Sequence, residues 1–127
     1  MPLSRISVPE HLPSSQTRAL ADAVQAGLVT TCKVPVDDCF QLINRFKADD
    51  MILNPTFGAV ARTKDASIVE ITFLQGRSGD QKRALYRCVT DLAVVAGFKA
   101  DDIMIALTEN APIDWTLGKG LAFQGHR

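Results

Sequence analysis

At 127 residues the chain has the length of one domain and should bury roughly two-thirds of the surface its unfolded form exposes. Lysine and arginine together number 14 and are matched by 14 aspartates and glutamates, which excludes a broad cationic surface for nucleic acid or an anionic membrane. No apolar run approaches the roughly 20 residues needed to span a bilayer, and no basic stretch leads into an apolar one at the amino terminus, so neither a membrane span nor a signal peptide is expected. Cys32, Cys39 and Cys88 are odd in number and widely spaced, which points away from a disulfide framework and toward a reducing, cytoplasmic location.

Leu3, Ile6 and Val8 alternate imperfectly with polar residues and predict a first strand over 1–8. Pro9 and Pro13 bracket a connection, and Ser14 or Ser15 is placed to cap a helix beginning there. From Gln16 to Lys33, Leu20, Val24, Gly27, Leu28 and Thr31 fall on one helical face, as packing on a sheet requires. Val34-Pro35 should end that helix, because proline lacks the amide donor. Cys39 to Phe46 reads as a second strand, with Phe40, Leu42 and Phe46 nearly in phase.

The stretch 47–63 holds charges, Asn54-Pro55 and Gly58, and reads as a loop or irregular hairpin. Ser67 to Leu74 is the third strand, and Gly76 permits a sharp exit from it. Ser78 with Gln81 is a capping-box pattern that opens a second helix running to Ala96, with Leu85, Val89 and Leu92 on its buried face. Ile103 to Leu107 is apolar throughout and predicts a fourth strand. The tail from Pro112 to Arg127, with Trp115, Gly118, Gly120, Phe123 and Gly125, reads as a folded loop.

The two halves match. Ile6 corresponds to Ile71, Arg18-Ala19-Leu20 to Arg83-Ala84-Leu85, and Asp37-Asp38 to Asp101-Asp102, at an offset of about 65 that slips by one. Each half, about 1–46 and 66–110, is strand, helix, strand, and the segment 111–127 comes after them as a carboxy-terminal loop of one domain. Such crossovers make the strands within each half parallel. The expected fold is α/β (α+β): a tandem βαβ repeat with a four-stranded mixed sheet and both helices on one face. The other face stays bare, yet the fourth strand lacks polar alternation, so copies of the chain are expected to close against one another.

Several side chains have chemical potential. Methionine before proline is ordinarily trimmed, which would leave Pro2 as a terminal secondary amine titrating near neutrality, where a general base or acid works best; proline at this position equally serves only to govern processing. Arg77 lies where a strand ends and a helix begins, a place suited to a carboxylate or phosphate or simply to a solvated loop arginine. Asp37-Asp38 can hold a water or orient the amine, or form a turn through side-chain-to-backbone bonds, and the matching Asp101-Asp102 favours the turn for at least one of each pair. Trp115, the sole tryptophan, either walls a pocket or anchors a core or interface. His11 and His126 lack a third ligand at suitable spacing, so no metal site is expected. No nucleophile elbow, phosphate loop or dinucleotide fingerprint is present, and no cofactor is implied.

Taken together, Pro2-Leu3, Val34-Pro35 with Asp38 and Gln41, Gly76-Arg77-Ser78 with Gln81-Lys82 and Tyr86, and Asp114-Trp115 with Gly118 and Gly120 resemble the tautomerase superfamily, in particular its malonate semialdehyde decarboxylase branch. The similarity runs essentially the whole length. It implies the fold shared by tautomerases and macrophage migration inhibitory factor, a homotrimer, and a small carboxylate substrate. By this resemblance Pro2 matches the catalytic proline, Asp38 the aspartate that positions water or the proline, Arg77 the second of two substrate-binding arginines, and Trp115 a tryptophan near the pocket. Gln75 stands where the decarboxylase has its first arginine, and a neutral amide cannot give the charge-assisted, two-pronged grip of a guanidinium. The first helix also lacks the histidine of the related cis-3-chloroacrylate dehalogenases. The expectation is therefore keto–enol proton transfer on a small 2-oxo acid or enol, with Pro2, Asp38 and Arg77 acting and Gln75 and Trp115 lining the site. Decarboxylation or hydration of a 3-oxo acid is the rival chemistry, and a non-catalytic trimeric binding protein is the rival class.

Overall fold

The computed structural model describes residues 1–124. Gly125 and His126, which the sequence assigns to the tail, lie outside the described residues. The elements run β1 (Pro2–Pro9), α1 (Ser14–Cys32), β2 (Gln41–Phe46), β3 (Ser67–Leu74), α2 (Gly79–Val95) and β4 (Ile103–Asn110). They form a sheet ordered β2-β1-β3-β4. β1 pairs parallel to β2 and β3 parallel to β4, while β1 and β3 meet antiparallel at the centre. The tandem βαβ arrangement and its mixed sheet are as expected. No helix among the described residues is long and apolar enough to cross a membrane.

One face of the sheet carries Ile6, Val8, Val69, Ile71 and Phe73, all essentially inaccessible to solvent. Leu20, Val24 and Leu28 of α1 and Leu85 and Val89 of α2 close over them. Removing each such side chain from water stabilises the fold by roughly 1.5–3 kcal/mol. The helices approach closely because Gly27 has no Cβ; one placed there would lie 2.7 Å from Val89 Cγ2 and 3.2 Å from Leu85 Cδ1.

Several local expectations change. α1 begins after Pro13 with no side-chain cap. Ser14 is already helical, and its hydroxyl and carbonyl oxygens accept bonds from Arg45 and Thr17. The helix ends at Lys33, in the left-handed conformation, before Pro35 is reached. On α2 the buried line is Leu85, Val89 and Ala93, while Leu92 is 40% exposed, because the contact follows the i, i+4 ridge. β2 starts at Gln41, two residues later than expected, and Phe40 and Leu42 stay exposed. β4 runs on to Asn110, since Thr108–Asn110 continue the ladder with Thr72–Leu74.

β4 buries only one side within the chain: Ile103, Ile105 and Leu107 pack on the core, whereas Met104 is 48% exposed on the open face. The stretch 47–63 contains a 3₁₀ turn at Ala48–Asp50 and no strand. Asp102 pins its end by accepting bonds from the Thr63 amide and hydroxyl, and Asp101 accepts from the Ala61 amide. The sequence favours a local turn for at least one of Asp101 and Asp102, but their carboxylates instead bind the distant 61–63 stretch.

Gly27→Val should lower unfolding free energy by about 1–3 kcal/mol through overpacking against Val89. Urea denaturation measures it, and unchanged stability would mean the helices do not meet as closely as described.

Candidate active site

The amino-terminal end of β1 lies beside the carboxy-terminal ends of β3 and β4, and that end of the sheet gathers the sequence-selected residues. Pro2 is buried and pairs in register with Phe73, which pairs in turn with Glu109. Directly opposed residues share a face. Pro2, Phe73 and Glu109 therefore form one row on the helix-covered side.

Ahead of Pro2, the Met1 amine forms an ion pair with Asp38 Oδ2 at 3.2 Å, and both groups are largely shielded from solvent. Asp38 is set by the turn after α1: its amide donates to Pro35 O at 3.0 Å, and its carbonyl accepts from Gln25 Nε2 at 3.1 Å. Its second carboxylate oxygen, Oδ1, is buried and has no hydrogen-bond partner among the described residues. A buried carboxylate oxygen left unsatisfied costs about 1–3 kcal/mol, which makes it a good acceptor for any donor brought near.

Arg77 follows Gly76, whose φ of +120° gives the sharp exit from β3 that a residue with a Cβ resists. The guanidinium folds back instead of pointing at the start of α2. Nη1 donates to Leu74 O at 2.8 Å, Nη2 to Cys32 O at 3.4 Å, and the guanidinium carbon sits 5.0 Å above the Phe73 ring centre. These two bonds leave further N–H donors available. The Ser78–Gln81 capping box forms as expected, and Gln81 Nε2 also donates to Thr31 O at 3.3 Å. Arg77 and Gln81 thereby satisfy carbonyls at the end of α1, which a helix leaves without internal partners.

Gln75 extends the β3–β4 ladder, its amide donating to Asn110 O at 2.8 Å. Asn110 Oδ1 accepts from Trp115 Nε1 at 2.6 Å, so Asn110 ties Gln75 and Trp115 to the same strand end. Cys32, Gln75, Gly76, Arg77 and Gln81 line a cleft of about 210 Å³, suited to a small acid. A larger cavity of about 460 Å³, lined by Pro9, His11, Met51 and Leu53 among others, lies at the opposite end of β1. His11, one of its lining residues, pairs with Asp65 at 2.7 Å, and none of Pro2, Asp38, Gln75, Arg77 and Trp115 lines it.

Sequence reasoning missed Glu109 and gave Lys82 no role beyond its place in the Gln81-Lys82 motif. Lys82 Nζ donates to Glu109 Oε1 at 2.9 Å. That bond, with Lys82's charge, the Gly76 amide and the Arg77 charge, holds the Glu109 carboxyl below its ordinary value of 4.5 against the opposing effect of desolvation. The available signal was that Glu109 is the only charged residue in an otherwise largely apolar strand.

A small mixed sheet with its chain terminus buried on an aspartate, and an arginine over the adjoining phenylalanine, defines a tautomerase-type architecture. The chain belongs to the tautomerase family: residues 38–118 match the family described as tautomerase enzyme. It is similar to the probable tautomerase YusQ of Bacillus subtilis, 29% identical over 117 residues that cover 88% of this chain and 92% of that protein. Its structure is similar to that of an FG41 malonate semialdehyde decarboxylase inhibited by 3-bromopropiolate, with a TM-score of 0.88 and 31% identity over 94% of this chain and 91% of that one. The Q0 fused 4-OT wild-type symmetric trimer shares the fold at a TM-score of 0.79 and 18% identity, over 97% of each chain.

In carboxyl-detected NMR, Glu109 should titrate below 4.5 and return toward that value in Lys82→Met. A carboxyl whose folded value is depressed adds stability above its unfolded value and loses it as pH falls through the folded one. Lys82→Met should therefore lower the melting temperature at neutral pH, with the gap closing in acid; a gap independent of pH would contradict the pairing.

Proposed function

We propose that the mature protein starts at Pro2 and uses its secondary amine as general base and acid for keto–enol proton transfer on a small 2-oxo acid or enol. The observation that carries this reading is the buried ion pair of the Met1 amine with Asp38, whose Oδ1 has no partner among the described residues. With methionine attached, the Pro2 nitrogen is an amide without basicity. Once methionine is removed, the Pro2 amine becomes the chain terminus beside the same carboxylate, and the space held by the largely buried Met1 side chain is released next to it.

In the enolising direction Pro2 takes the proton from C3, and the C–H electron pair becomes the new double bond as the carbonyl π pair moves to the C2 oxygen. Arg77 holds the substrate carboxylate with its remaining donors and steadies the charge developing on that oxygen. Asp38 orients the amine or a water. Gln75 offers the substrate a neutral amide, and Trp115, fixed through Asn110, helps keep the pocket dry. The homotrimer is part of the proposal. Val36, Phe57 and Ile113 are each at least 75% exposed in the single chain, more apolar surface than a monomer ordinarily leaves in water. The free thiols of Cys32, Cys39 and Cys88 suit a reducing cytoplasm, and a carboxylate site on a neutral protein calls for neither nucleic acid nor membrane.

Decarboxylation or hydration of a 3-oxo acid in the same site is the second reading, favoured by the likeness to a malonate semialdehyde decarboxylase. Gln75 weighs against it, because decarboxylation there would lack a second cation. A trimeric binding protein without turnover is the remaining class.

Ketonisation of an aryl enolpyruvate by the Met1-free protein should exceed the buffer rate, and Pro2→Ala should lower it by about 10²- to 10⁴-fold. A carboxylate-bearing alkylating agent should label Pro2 only while Arg77 is intact, with intact mass confirming loss of Met1. Turnover at the buffer rate, unaffected by Pro2→Ala, rules out the enzyme reading.

A further inference from the structure

We infer that Arg5 and Glu70 form a ring of charge pairs between copies of this chain, Arg5 of each copy meeting Glu70 of the next, and that this ring sets how the open faces of the sheets assemble. The inference rests on the proposed homotrimer and names a contact that holds it in register. Side chains alternate along a strand, so the residues between those packed under the helices point to the open face. There Leu42, Arg5, Glu70 and Ala106 succeed one another across β2, β1, β3 and β4 in a single row. Arg5 and Glu70 thus stand at the middle of the sheet, on its two central strands.

The rows on either side, Ser7–Ile68–Met104 and Leu3–Thr72–Thr108, carry no charge. Arg5 and Glu70 are the two charged residues that the alternation places on this face of the four strands. Both are exposed in the single chain. Although they are register partners, neither side chain forms an ion pair or hydrogen bond among the described residues. Each copy therefore offers one free cation and one free anion at the centre of an otherwise uncharged face.

Copies that close on this face take both charges out of water. A charge buried without a partner is strongly destabilising, whereas an opposed pair offsets much of that cost. Placements that set like charges together are excluded, and one that sets Arg5 on the next copy's Glu70 satisfies both. In a cyclic trimer each copy gives its cation to one neighbour and its anion to the other, so the ring closes with no charge left over. Charges arranged in this way fix register and partner more than they add affinity.

Sedimentation equilibrium tests the ring. The unmodified protein should sediment as a trimer. Arg5→Glu alone and Glu70→Arg alone should each raise the concentration needed for assembly by about a hundredfold. Both substitutions in one chain should bring it back to within about threefold of the unmodified protein. Mixing the two single variants should also recover assembly, because a contact between unlike copies again sets opposite charges together; such recovery shows that both variants are folded. Single variants that assemble like the unmodified protein, or a double variant that does not assemble, would overturn the ring and leave the homotrimer standing. So would recovery in the double variant without recovery on mixing, which places the pair within one chain. An unmodified protein that stays monomeric would remove the homotrimer and this inference with it, while loss of enol turnover in Pro2→Ala bears on the proton transfer alone.

Discussion

The amino terminus of this chain is locked into the middle of a sheet. β1 lies between β2 and β3, and the residues after Pro2 include Ile6 and Val8, both wholly buried under the helices. Fraying the terminus would strip hydrogen bonds from two neighbouring strands at once. The first amine is thus held where a terminal charge is costly, and the Asp38 carboxylate offsets that cost. The compensation is incomplete, since Asp38 Oδ1 has no partner among the described residues. Local incompleteness of this kind in an otherwise consistent fold is where function is ordinarily found.

The rest of the site arises from joining the two halves of the repeat. α1 ends with free carbonyls and α2 begins with free amides. Arg77 and Gln81, both at the start of the second half, satisfy carbonyls of Cys32 and Thr31 at the end of the first. The position of the guanidinium is thereby fixed by helix packing before any ligand arrives, the preorganisation that electrostatic stabilisation requires. The repeat then diverges where the halves have different work. Asp101 and Asp102 latch the 61–63 backbone, whereas Asp38, at the matching place, meets the chain terminus. Equivalent residues acquire different roles because Asp38 lies beside the start of β1, whereas Asp101 and Asp102 lie beside the 61–63 backbone.

Much of this was legible in residue order. β3 and the Ser78–Gln81 box depend on local chemistry, and both formed where the pattern placed them. The mixed sheet came from the repeat. What failed was what depends on three dimensions. Leu92 and Ala93 compete for one face of α2, and only the ridge direction decides between them. A serine at a helix start signals a cap, but Pro13 took that position and Arg45 took the Ser14 hydroxyl. The row of Pro2, Phe73 and Glu109 depends on the register of β3 with β4, and nothing local reports that offset. Gln75, Arg77 and Trp115 were chosen from the sequence; that Asn110 ties the first to the last was not.

The central claim is that the terminal amine, the Asp38 carboxylate and the Arg77 guanidinium share one ligand space at the end of the sheet. A crystal structure of the Met1-free protein with bound butanoate tests this most directly. The account predicts the Pro2 nitrogen within about 3 Å of the Asp38 carboxylate and the ligand carboxylate on Arg77. A Pro2 nitrogen turned away from Asp38, or the acid seated instead in the cavity beside His11 and Leu53, would contradict it.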